Sequence, residues 1–109
     1  MLNGFWSVTF STNADIGAGV VTILNGDAMG GDSGFTYIGN IGAGENGAVS
    51  GELQVSRHST FLDPVIPGMD HYTLVVSGSA SNDQLNLIGA VKGRSDLQMK
   101  IVGKKLKSI

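Results

Sequence analysis

Residues 39–49 read GNIGAGENGAV, and this stretch decides between two folds. Gly42, Gly44 and Gly47 have the spacing G-x-G-x-x-G, which in a dinucleotide-binding unit joins a strand to a helix whose N-terminal amides hold a pyrophosphate. The residues that follow, AVSGELQVSR, carry no helical stripe. Val49, Leu53 and Val55 are instead separated by even steps, the period of a strand, and so share one face. Asp63 lies where a ribose-binding acid would be sought, but its context STFLDPVIP is a proline-bounded loop and not a strand end. The stretch is therefore read as the tight turn of a β-hairpin, and the chain as all-β.

Working outward, the same period recurs on both sides. In GFWSVTFST the residues Trp6, Val8 and Phe10 alternate with Ser7, Thr9 and Ser11. NADIGAG turns the chain into GVVTILN, which ends at Asn25-Gly26, a pair that accepts positive φ at both turn positions and so favours a hairpin. A short, weakly patterned piece around Ala28 and Met29 leads to the turn GGDSG, then to FTYIGNI with Phe35, Tyr37 and Ile41 opposite Ile38. Beyond the central hairpin, HYTLVVSG carries Tyr72, Leu74 and Val76, SASNDQ turns, LNLIGAV carries Leu85 and Leu87, and KGRSD precedes LQMKIVGKKL with Leu97, Met99 and Ile101. About eight strands joined by short connections predict an antiparallel up-and-down meander, and closing it into a barrel removes the exposed edges.

The chain has 109 residues, which suits one domain spanning residues 1–109, and a dinucleotide domain plus a substrate domain does not fit. Its 17 glycines lack a G-x-y period and point to tight turns or strongly curved strands. There is no cysteine, so disulfides, thiolate nucleophiles and cysteine zinc sites are excluded. With no run long enough for a membrane helix and no leader-like start, a soluble, cytoplasmic protein without direct membrane contact is expected. Residues 1–91 hold eight acids and one base, Arg57, whereas Lys92, Arg94, Lys100, Lys104, Lys105 and Lys107 face only Asp96 in the remainder. This basic end is too narrow for a nucleic-acid surface. It reads as a strand edge protected by lysines, or as a patch that steers an acidic partner.

The candidates for chemistry are few. His58 and His71, 13 residues apart across the proline loop, could converge with Asp63 and Asp70 on a metal or acid-base cluster, although the spacing does not require it. Asp27 and Asp32 in NGDAMGGDSG lack the ligand positions of a calcium loop and read as carboxylates that cap their own turns. Glu45 and Glu52 show no paired-carboxylate pattern. No cofactor, metal or catalytic residue is expected, and the chain is expected not to be an enzyme. The loop HSTFLDPVIPGMD is too apolar to be idle: Phe61, Leu62, Val65, Ile66 and Met69 either plug a barrel end or lie against a partner.

The segments NGFWSVTFSTNADIGAGVVTILNGDAMGGDSGFTYIGN, with Gly17 and Gly19 leading into VVTILNG and with Gly30, Gly31, Asp32, Tyr37 and Gly39 in order, resemble the GrlR family of negative regulators of type III secretion genes. The likeness continues into LQVSRH and more loosely to the end, so that it covers about half the chain well. It implies a small lipocalin-like barrel of eight strands that dimerises and sequesters a transcriptional activator without catalysis. The acidic run by which that family is held to contact its activator is reduced here to Glu45 in GAGENGAV. The leading expectation is a homodimeric regulatory binding protein whose outward contacts are Glu45, Asn46, Phe61, Ile66 and Met69. The alternative is a carrier of a small apolar ligand, with Trp6, Phe10, Leu53, Leu74 and Leu87 lining the lumen.

Overall fold

The computed structural model describes residues 2–60 and 64–109. It contains eight strands: β1 (Gly4–Ser11), β2 (Ile16–Leu24), β3 (Asp27–Gly31), β4 (Phe35–Ala43), β5 (Ala48–Arg57), β6 (His71–Ser81), β7 (Gln84–Val91) and β8 (Arg94–Ser108). Each is antiparallel to the next, and β8 returns to pair with β1, so the sheet is a closed, lipocalin-like barrel. Among the described residues no helix is long and apolar enough to cross a membrane.

The strands are staggered. Gly4 lies opposite Ile23, and the same line passes through Ala28, Gly39, Leu53 and Leu74 to Val91. That line meets β8 at Arg94, whereas Ser11, the last residue of β1, pairs with Lys100. Such an offset is the shear that closing a barrel of tilted strands requires. Ile23, Ala28, Leu53, Leu74 and Val91 along the line are all buried, so it is one inward layer of the core.

Alternation explains which side chains fill the interior. Trp6 and Val8 of β1, Phe35, Tyr37 and Ile41 of β4, and Val49, Leu53 and Val55 of β5 are buried, while Ile38 between two inward residues is 57% exposed. Curvature demands glycine where neighbouring backbones crowd. A Cβ at Gly39 would stand 2.0 Å from the Glu52 carbonyl oxygen and 3.0 Å from Leu53 Cα, so only glycine lets β4 and β5 come this close. At Gly17 the obstacle is a side chain, since a Cβ there would lie 2.4 Å from a Phe10 ring carbon.

The two barrel ends differ. One carries the turns after β2, β4 and β6, where Asn25, Asn46 and Asn82 adopt φ of 52°, 58° and 54°. Asparagine tolerates this left-handed region better than most residues. The G-x-G-x-x-G stretch is one of these turns: a single 3₁₀ turn, Glu45–Gly47, joins β4 to β5, closed by the Gly44 amide donating to the Ala48 carbonyl at 2.7 Å. The opposite end carries the connections after β1, β3 and β7 and the described parts of the one after β5, residues 58–60 and 64–70.

The weakly patterned piece around Met29 is one of the eight strands, with Ala28 1% exposed inside the barrel and Met29 54% exposed outside. Two expectations are corrected. The turn expected over NADIGAG is shorter, because β2 begins at Ile16. The lysine-rich β8 is not an edge, since it is hydrogen-bonded to β7 on one side and β1 on the other.

Candidate functional site

Inside the barrel lies a cavity of about 360 Å³, running from Trp6 to Asp15, the start of β2 and the connection at residues 32–34. Its inner end is fixed by Trp6, which is fully buried and whose indole Nε1–H donates to the Leu2 carbonyl at 2.9 Å. Behind it the Lys105 ammonium lies 5.3 Å from the ring centroid, a cation–π contact. The outer end is bordered by exposed residues, among them Asp15 and Ile16, the latter 67% exposed; the described residues thus leave a mouth there.

The walls are apolar. Trp6, Phe10, Leu53, Leu74 and Leu87, the five residues read from the sequence as facing a lumen, all line the cavity. A volume of about 360 Å³ is at the lower end of the range for small-molecule pockets and, at interior packing density, accommodates roughly fifteen non-hydrogen atoms.

Polar groups gather near the mouth. Asp32 follows β3 and folds its carboxylate over its own turn, Oδ1 accepting the amides of Gly34 and Phe35, both at 2.8 Å. This is the self-capping role expected from its sequence. Its other oxygen, Oδ2, accepts the hydroxyl of Tyr37. Strand alternation turns Tyr37 inward beside Phe35, and Gly19 on β2, two strands away, leaves room for the phenol, because a Cβ there would be 2.8 Å from the Tyr37 hydroxyl. Tyr37 also meets Phe10 edge to face, with centroids 5.6 Å apart and planes at 84°.

Tyr72, at the start of β6, borders the same cavity. Among the described residues its hydroxyl has no hydrogen-bond partner. Burial raises both phenols, with the Asp32 carboxylate reinforcing the effect: Tyr37 well above the ordinary phenol value, and Tyr72 to about 12. Both therefore remain protonated donors at neutral pH.

The other candidates separate. His58 places Nε2 2.9 Å from the Asp32 carbonyl oxygen, whereas His71 is exposed at the head of β6. Asp70 pairs with Arg57 at 3.1 Å. Asp63 lies outside the described residues. Among the described residues no group of three or more His, Cys, Asp or Glu side chains could hold a metal ion. Of the proposed outward contacts, Glu45 and Asn46 are exposed on the turn after β4. Ile66 is corrected: at 7% exposure it belongs to the core, and Met69 packs against that core half-buried. With Val65 on the cavity wall, this part of the loop covers the barrel end rather than presenting itself outward. Phe61 lies outside the described residues.

Sequence reasoning missed the trio Asp32, Tyr37 and Tyr72. The signal was present, because a strand tyrosine two residues after an inward Phe35 must point inward, and a buried phenol needs a polar partner. Compared with models of known protein families and with curated proteins, the chain matches none.

Proposed function

We propose that the chain binds a small, largely apolar molecule in its barrel, without transforming it. The observation that supports this reading is the cavity of about 360 Å³, apolar along its walls and bordered by polar groups only near its mouth. A core built only for stability would fill such space, because unfilled volume forfeits dispersion contacts. The test is saturable binding of an environment-sensitive apolar dye, compared with a variant carrying Val21→Phe and Val55→Phe, both on the cavity wall. Filling the lumen lowers dye affinity at least tenfold while far-UV circular dichroism keeps its β signature. A folded variant that binds as tightly as the parent overturns the reading.

A second reading, association with another copy, is favoured by the outer face. Phe5, Thr22, Met29 and Ile38 stand on one register line across β1 to β4, flanked on β2 by Val20 and Leu24. Met29 and Ile38 are 54% and 57% exposed, an apolar row of the kind that marks an interaction surface. Lys107 pairs with Phe5 at one end of the row, while Asp27 and Glu52 flank Ile38 through Asn40 at the other. A two-fold operation about Thr22 sets these opposite charges against each other. The resemblance to GrlR adds cytoplasmic sequestration of a regulatory protein to this second reading. Sedimentation of the wild type and of a Met29→Lys, Ile38→Lys variant tests the dimer: a dimer that the variant loses supports it, and a monomeric wild type refutes it.

A further inference from the structure

Among the described residues the lining of the cavity is charged with one sign only: Asp15 and Asp32 contribute carboxylates, and no lysine or arginine lines it. Of the cations at the same barrel end, Arg57 pairs with Asp70 at 3.1 Å, Lys92 with Glu52 at 3.7 Å and Arg94 with Asp96 at 3.2 Å, while Lys100, opposite Ser11, is exposed on the outer face between the inward Met99 and Ile101. His58 is turned to the backbone of Asp32. Around Asp32 stand four aromatic rings on the cavity wall, Phe10, Phe35, Tyr37 and Tyr72. Aromatic faces carry negative potential and attract a cation, most strongly when it is desolvated.

We propose that the barrel selects lipophilic amines: molecules whose apolar body fills the lumen and whose ammonium group rests at the mouth between the Asp32 carboxylate and the Phe10, Tyr37 and Tyr72 rings. The inference rests on the lumen-binding reading and adds the class of head group. Asp32 has capacity for it. Oδ1 is saturated by two amides, but among the described residues Oδ2 accepts only Tyr37 and retains a second acceptor position. The Tyr72 hydroxyl, without a partner among the described residues, supplies another acceptor. An ammonium has three donors and no acceptor, so this set takes two of them and leaves the third for solvent at the mouth. Among the described residues a fatty-acid carboxylate entering the same site meets two like charges and no compensating cation on the lining, and in a largely apolar cavity that repulsion is poorly screened.

Decylamine, decanol and decanoate share an apolar chain that the lumen accommodates and differ in head group, so competition of each against the bound dye at about pH 8, above the ordinary imidazole range, isolates the head group. Decylamine binds tightest, and decanoate at least tenfold more weakly. Asp32→Asn keeps an amide oxygen for the turn while removing the charge. It lowers decylamine affinity about tenfold and leaves decanol within about twofold; Asp15→Asn, farther out, has a smaller effect in the same direction. Equal affinity for all three molecules, preference for decanoate, or an equal loss for all three in Asp32→Asn overturns the head-group proposal and leaves the lumen reading standing. No saturable binding of dye or of any of the three removes both.

Discussion

Replacing Trp6 by alanine tests the inner end of the lumen most directly. The side chain is fully buried, and a buried tryptophan removes about 200 Å² from water, which at about 25 cal/mol per Å² is about 5 kcal/mol. Alanine recovers about 1 kcal/mol of this, and the ring face that borders the cavity packs on fewer atoms, lowering the figure further. The indole N–H bond to the Leu2 carbonyl at 2.9 Å adds about 1 kcal/mol. The expected cost is about 4 kcal/mol, a large fraction of the 5–15 kcal/mol that holds a typical domain together. Trp6→Phe keeps most of the apolar contact but strands the carbonyl, and should cost about 1–2 kcal/mol. Because Trp6 is the sole tryptophan, urea unfolding of both variants is followed by far-UV circular dichroism instead of fluorescence. Should Trp6→Ala cost less than Trp6→Phe, or less than about 1 kcal/mol, the ring does not pack as described.

Gly39→Ala should destabilise by about 2–3 kcal/mol, because its methyl meets the Glu52 carbonyl oxygen at 2.0 Å and backbone must move; chemical denaturation measures it. Gly26→Ala, at φ 88° with nothing within 4 Å, pays only for backbone conformation and should cost about 1 kcal/mol in the same assay. Tyr37 and Tyr72 are the only tyrosines, so an ultraviolet absorbance titration of the native protein should show no phenolate step near the ordinary value of about 10. The folded pKa of Tyr72 is above its unfolded one, so its contribution to stability is complete below pH 10 and declines as pH rises towards about 12. Tyr72→Phe should flatten that decline in urea midpoints measured across the window, and an unchanged slope would count against the burial of this phenol.

Much of the barrel was legible because alternation is a local property. Trp6-Val8-Phe10, Phe35-Tyr37 and Leu85-Leu87 each declare an inner face, and Asn25-Gly26 declares a turn. Asp27–Gly31 was weakly marked because Ala28 is its one buried apolar residue and two of its five residues are glycine. The lysines of β8 suggested an edge because nothing local says that β1 will cover it; closure is set by pairing across nearly the whole chain. Ile66 was misjudged for a related reason. Between Pro64 and Pro67 there is no period from which to read side-chain direction, so its burial is decided by tertiary contact alone. The lumen residues followed from alternation, whereas the Asp32–Tyr37 contact joins a turn to a strand and emerges only once the turn has folded.

The pairing of the first strand with the last also has a consequence for how the protein is made. Seven strands can join their neighbours as they leave the ribosome, each hairpin needing only nearby residues. The outer side of β1 and the free side of β7 then remain two unsatisfied sheet edges until residues 94–108 emerge and Ser11 finds Lys100. Truncation within that last segment, or a pause before it, leaves a nascent chain able to recruit another chain's strand in place of its own.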